Sequence, residues 1–156
     1  MSAGAAGCFV CDKHLGRNVV PGGAIYEDEW VYASHGIVPE GKSRTYLGTL
    51  FVEPKRHGPG IAELSDLEAK QIGLLSSRLA RALKETERAE HVYVFVLGHH
   101  VDHLHVWLVP RYPGTPPEYW AMRLAEWPDA PKGDALQIAA LCERVRGHLE
   151  RADGSK

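Results

Sequence analysis

The stretch HHVDHLHVWLVPRYPG, His99 to Gly114, puts four of the chain's nine histidines into seven positions and then continues as an apolar run. Side chains alternate across a strand, so Leu104, Val106 and Leu108 share one face while His103, His105 and Trp107 share the other. The leucine and valine face is the core face. The His/His/Trp face then looks into a cleft or onto solvent, where two imidazoles at alternate positions suit metal ligation, nucleophilic or acid–base catalysis, or anion binding. The plainer alternative is a strand with cross-strand paired histidines and a tryptophan covering the sheet.

Working outward, HVYVFVLG (residues 91–98) is rich in β-branched and aromatic types and reads as a well-buried strand joined to the histidine stretch by a short GHH turn. From Ser65 the pattern becomes helical. Leu67, Ile72, Leu75, Leu79 and Leu83 form a stripe, Ser65 and Glu68 match a capping box, and the helix ends near Glu87. Upstream, YLGTLFVEP reads as a strand stopped by Pro54. AIYEDEWVYASHGI reads as two strands around the acidic turn Glu27 to Glu29, and the first 23 residues as an irregular segment rather than a helix. YPGTPPEYW interrupts regular structure, and DALQIAALCERVRGHL forms a C-terminal helix with Ile138, Leu141, Val145 and Leu149 on one face. Strands, one long helix, two adjacent strands and a last helix predict an α+β domain: an antiparallel sheet of about five strands packed with a long central helix and a C-terminal helix.

A chain of 156 residues with 44% apolar content is the size of one domain with a real core, so residues 1–156 read as a single unit. The net charge of −2 carries no basic field for gripping duplex nucleic acid. No apolar run approaches the roughly 18 residues of a membrane span, and the start lacks the basic and apolar regions of a leader. The expectation is a cytoplasmic protein without membrane association. Three cysteines, an odd number, do not suggest a disulfide framework, and Cys142 falls within a helical apolar pattern as a core residue. Cys8 and Cys11 form a C-x-x-C with no second pair elsewhere, so a four-ligand zinc needs two histidines, for which His57 after PKR and His103 are candidates.

EPKRHG at a strand end, ELSDLE opening a helix, and HLHVWLVPR together resemble the histidine-triad superfamily of nucleotide hydrolases and transferases, whose signature is His-φ-His-φ-His-φ-φ. The likeness runs from about Cys8 to Arg111, making 8–111 the core of the domain and 112–156 a C-terminal extension. The resemblance implies that His105, at the middle position, attacks the α-phosphate of a nucleotide to form a covalent nucleotidyl-imidazole, its ring oriented by a backbone carbonyl. It further implies a structural zinc on Cys8, Cys11, His57 and His103, a nucleotide or dinucleotide substrate, and a homodimer. Lys55, Arg56 or Arg111 would lend positive charge to the phosphates. Phe9, Trp30 or Tyr32 would line the base pocket, and Tyr119, Trp120 and Trp127 would cover the site or build a dimer contact.

Two positions depart from that pattern. Trp107 stands where the family has its third histidine, and an indole has one N–H donor and no titratable nitrogen, so it can bind a phosphate oxygen but cannot shuttle a proton. Gly98, His99 and His100 stand where relatives carry Gly-Gln-Ser or Gly-Gln-Thr, and either histidine can supply the missing proton donor. The resulting expectation is a hydrolase or nucleotidyltransferase acting on a dinucleoside polyphosphate or a nucleoside phosphate ester or amidate. Its alternatives are a catalytically weak nucleotide-binding protein and a zinc-stabilised interaction protein without nucleotide.

Overall fold

The computed structural model describes residues 6–154; the ends of the 1–156 unit, including the start read for a leader, lie outside the described residues. In chain order the elements are α1 (Phe9–His14), β1 (Ala24–Glu27), β2 (Val31–His35), β3 (Thr45–Tyr46), β4 (Leu50–Pro54), α2 (Asp66–Glu87), β5 (His91–Phe95), β6 (Val106–Arg111), β7 (Lys132–Gly133) and α3 (Ala135–Gly154). Five strands form one antiparallel sheet in the order β1-β2-β4-β6-β5, and β3 pairs with β7 in a separate two-stranded ribbon. The architecture is the expected α+β one.

Alternation divides the sheet into two faces. Val31, Ala33, Leu50, Val52, Val106 and Leu108 are buried with Ile72, Leu75, Leu79 and Leu83 of α2 and Ile138, Leu141, Val145 and Leu149 of α3 in one core. The opposite face carries Tyr32 and Ser34 of β2, Phe51 and Glu53 of β4, and Trp107 of β6. The register pairs Ser34 with Phe51, Phe51 with Trp107, and Tyr32 with Glu53. Continuing the β4–β6 register by one residue sets His105 opposite Glu53.

Three local expectations need correction. Phe9–His14 is helical, not irregular. A helix this short is unstable alone, and it forms because cysteines at its start and Lys13 and His14 at its end are held by distant parts of the chain. The strand at 91–98 is shorter and sits on the sheet edge, with Val94 and Val96 exposed; apolar content alone does not distinguish an edge strand from a central one. The histidine strand itself begins at Val106, so His103, in a bend, and His105 occupy its lead-in rather than the ladder. They keep the alternation nonetheless, with Leu104 buried on the core side.

Helix α2 starts as its sequence dictates. Ser65 Oγ accepts the Glu68 backbone N–H, and the Glu68 carboxylate accepts the Ser65 N–H at 2.8 Å. The same carboxylate takes two hydrogen bonds from Arg56, at 2.9 and 2.8 Å. Those bonds from Arg56, chiefly, and from Ser65 outweigh burial and hold Glu68 down at about 2. A carboxylate with a depressed folded pKa stabilises the fold above its ordinary value of 4.5 and loses that contribution as pH falls toward about 2. Urea unfolding across this range is therefore expected to show a smaller acid-induced loss in Glu68→Gln than in the wild type, and an unchanged acid limb would contradict the assignment. Ser65→Ala should cost about 1 kcal/mol at neutral pH.

Candidate active site and metal centre

Helix α1 brings Cys8 and Cys11 to the lead-in of β6. The donor atoms of Cys8, Cys11, His57 and His103 all lie within 4.8 Å of one another. Cys8 Sγ and Cys11 Sγ approach His103 Nδ1 at 3.6 and 3.4 Å, and Cys11 Sγ approaches His57 Nδ1 at 3.5 Å. A tetrahedral zinc with bonds of about 2.3 Å to sulfur and about 2.0 Å to nitrogen separates neighbouring S and N ligands by roughly 3.5 Å. One lone pair at His103 Nδ1 faced by two sulfurs is the geometry of donors around a shared centre, not of a single S–H···N bond. His103 is fully buried and donates its other ring N–H to the Pro54 carbonyl at 2.8 Å, which sets the tautomer that leaves Nδ1 free to ligate. Burial, only partly opposed by that hydrogen bond, lowers its pKa to about 4, so the ring is neutral at physiological pH. The four residues make up a structural zinc site; with four protein ligands it has no open position for substrate.

Beside this centre, on the sheet face opposite α2 and α3, lies a cleft of about 530 Å³. His105, Trp107, His99 and His100 line one part of it, and Phe9, Val10, Ile37 and Phe51 give it apolar walls. His105 Nδ1–H donates to the His103 carbonyl at 2.7 Å. The Nε2 lone pair is therefore the one available to a reactant. Trp107 packs edge-on against Phe51 at 4.6 Å between ring centroids, and its indole N–H is buried without a hydrogen-bond partner. His35, also on the wall, has both nitrogens engaged: Nδ1–H donates to the Gly36 carbonyl and Nε2 accepts the Gly48 N–H. Gly48 has φ +86°, and a Cβ there would meet Pro110 and Tyr112 at 2.6 Å, so this contact needs glycine.

Other expected site residues lie elsewhere. Trp30 packs against the helix-covered core and its indole N–H donates to Glu29. Tyr32 is on the cleft face, but Lys13 and His14 of α1 cover its ring. Arg111, at the far end of β6, stacks on Trp120 with its guanidinium 4.0 Å from the ring centroid and meets Tyr93. Lys55 pairs with Glu27 and Arg56 with Glu68. Each of these cations has a nearer anion or aromatic partner, and none lines the cleft. Of the aromatic residues in the tail, Trp120 donates to the Thr115 carbonyl; Met122 and Leu124, not Tyr119, Trp120 or Trp127, wall a smaller cavity of about 130 Å³ beyond Trp107.

The cation that does reach the cleft is Lys13, buried and bonded to Glu53 Oε1 at 2.7 Å and to Ser34 Oγ at 3.2 Å. His14 Nε2 bonds the other Glu53 oxygen at 2.9 Å. Burial opposes the Glu53 charge, yet the bond from His14 and the bond and charge of Lys13 prevail and hold its pKa below the usual carboxylate value. Sequence reasoning passed over this cluster. Its one signal was a glutamate inside the otherwise apolar LFVEP, at the alternate position to Phe51.

A HIT domain model matches residues 17–114. The chain belongs to the HIT family. Its fold is shared with a zinc-bound histidine triad family protein from Mycobacterium smegmatis, with a TM-score of 0.71 at 21% identity, over 96% of this chain and 98% of that one. A hypothetical histidine triad nucleotide-binding protein from Sulfolobus tokodaii strain 7 gives 0.69 at 19% identity, over 92% and 93%. A HIT family member from Bacillus subtilis gives 0.58 at 27% identity, over 69% and 75%. No match was found among curated proteins. The HIT match begins after Cys8 and Cys11, so the helix that closes the zinc site lies outside it. Among the described residues, no helix is long and apolar enough to cross a membrane.

Protein of this HIT chain purified without added metal should contain close to one equivalent of zinc by elemental analysis, and less than half an equivalent would count against the site. His57→Ala should lose zinc and lower the melting temperature together, because structural zinc binding is coupled to folding.

Proposed function

We propose that this HIT domain is a nucleotide hydrolase or nucleotidyltransferase in which His105 Nε2 attacks the α-phosphate of a dinucleoside polyphosphate or a nucleoside phosphate ester or amidate. The observation that carries this reading is the hydrogen bond from His105 Nδ1–H to the His103 carbonyl. It orients the ring and directs the remaining lone pair toward the cleft. Attack forms an N–P bond and breaks the bond from phosphorus to the leaving group, which departs with the electron pair and needs a proton. Water or another acceptor then displaces His105 from phosphorus. The zinc ties α1 to the strand lead-in and takes no part in these bond changes.

Trp107 cannot protonate a leaving group, and its indole N–H is buried without a partner rather than open to a ligand. His99 and His100 line the same cleft and are the groups assigned to the leaving-group proton. The lack of a titratable group at Trp107 also supports a second reading, a protein that binds nucleotides and turns them over weakly. The open β5 edge, with Val94 and Val96 exposed, supports a homodimer.

Rapid quenching during incubation with a dinucleoside polyphosphate should trap an acid-labile nucleotidyl group on His105, and His105→Ala should lose turnover by on the order of 10³-fold or more. Neither adduct nor turnover across polyphosphates, esters and amidates would sink the enzyme reading; tight binding without turnover would select the second. If His99 or His100 is the proton donor, its replacement by glutamine should slow esters with poor leaving groups more than activated ones.

A further inference from the structure

The C-x-x-C pair that opens α1 encloses part of the cleft. Between Cys8 and Cys11 stand only Phe9 and Val10, and both line the cavity that His105 also lines. The two sulfurs therefore hold the short piece of backbone from which an apolar wall of the site projects. Cys8 and His57 are partly exposed, whereas Cys11 and His103 are buried. A small oxidant in solution thus reaches the centre from the side of Cys8.

We infer that Cys8 and Cys11 are a redox latch on the cleft: a hydroperoxide joins them in a disulfide, the zinc leaves, and the wall carried by α1 comes loose until a thiol reductant and zinc restore it. The latch rests on the zinc site, not on the phosphorus chemistry. The pair is spaced for the bond. Cys8 is the N-cap of α1 and Cys11 its third residue, positions whose Cα atoms the rise and radius of a helix set about 5 Å apart. A disulfide spans roughly 4.4–6.8 Å between Cα atoms, and the two sulfurs lie within 4.8 Å of each other. With hydrogen peroxide, the Cys8 thiolate attacks the O–O bond, becomes a sulfenic acid and releases hydroxide; the Cys11 thiolate then displaces a second hydroxide and closes the S–S bond. The sulfurs give up two electrons and the peroxide takes them. His57 and His103 are then the only ligands left, half of what a structural site needs.

The consequence falls on α1. Lys13 and His14 still hold its far end through Glu53, but a helix of six residues does not persist on one anchor. His105 is spared, because its bond to the His103 carbonyl and the bond from His103 to Pro54 involve no sulfur. Oxidation therefore loosens the wall and leaves the orientation of the His105 ring in place. The third thiol supplies a control within the same chain. Cys142 is fully buried in the core, and burial pushes it up to about 11, so it forms little thiolate and stays reduced.

The test treats the zinc-loaded full chain with a slight excess of hydrogen peroxide. Zinc release to a colorimetric chelator, disulfide mapping by peptide mass and amide hydrogen exchange are followed together. One zinc should be released for each disulfide formed, and the bond should join Cys8 to Cys11. Amides of Phe9 to Leu15 should exchange faster by on the order of tenfold or more, while those in the middle of α2 stay protected. Dithiothreitol with zinc should reverse all three changes, and Cys142→Ala should respond as the wild type does. Zinc retained through excess peroxide, a disulfide that includes Cys142, Cys8 carried to a sulfinic acid with no disulfide, or unchanged exchange across α1 in the oxidised chain would each overturn the inference. A chain that holds less than half an equivalent of zinc before any peroxide is added would overturn the metal site and the latch with it, so the two failures are told apart.

Discussion

The imidazole of His103 joins the two halves of the site. Its Nε2–H is committed to the Pro54 carbonyl at the end of β4, and its Nδ1 meets the sulfurs of Cys8 and Cys11 at the start of α1. A six-residue helix has too few internal hydrogen bonds to persist by itself, so α1 depends on this anchor and on the bonds from Lys13 and His14 to Glu53 at its other end. The cleft inherits that dependence, because Phe9, Val10 and Lys13 of its lining all belong to α1. The metal site thereby holds one wall of the cleft in place, and the His103 carbonyl that accepts the His105 N–H belongs to the same anchored residue.

The sheet keeps its two tasks on separate faces. One face is closed by α2 and α3 over a continuous apolar core, while the other holds Tyr32, Ser34, Phe51, Glu53 and Trp107 in register. Polar and reactive side chains can accumulate there without unpaired burial because each strand supplies them at alternate positions and α1 supplies their partners. The exceptions are His14 Nδ1 and the Trp107 indole N–H, both buried without a partner. Trp107 has no titratable nitrogen, and its N–H is enclosed between the strand and its neighbours. His99 and His100, outside the strand, line the same cleft.

Much of this was legible in the chain itself. The capping box at Ser65 and Glu68, the apolar stripes of α2 and α3 and the two-residue alternation through Leu104, Val106 and Leu108 are local patterns, and the structure follows them except at Leu67, which lies in the first turn of α2 and is exposed. The cysteine pair, His57 and His103 were readable because the ligand chemistry of zinc admits few residue types. Less legible were the edge position of β5, the helical turn of α1, and the fates of Trp30, Tyr32 and Arg111. Composition near a motif says that a cation or an aromatic ring is close in sequence, but not which partner captures it. Arg111 is taken by Trp120 and Tyr93, and Trp30 by the core and Glu29.

By itself, then, the sequence determined what the periodicity of the backbone and the valence of a metal can express: the main elements, the face that His103 and His105 share, and the zinc ligands. Only the tertiary structure decided which polar groups share the cleft. Lys13 and Glu53 stand 40 residues apart. They meet because the sheet order brings β2, β4 and β6 side by side and the zinc lays α1 across them. No pattern along the chain encodes that meeting, since it depends on strand order and on a helix held by its ends.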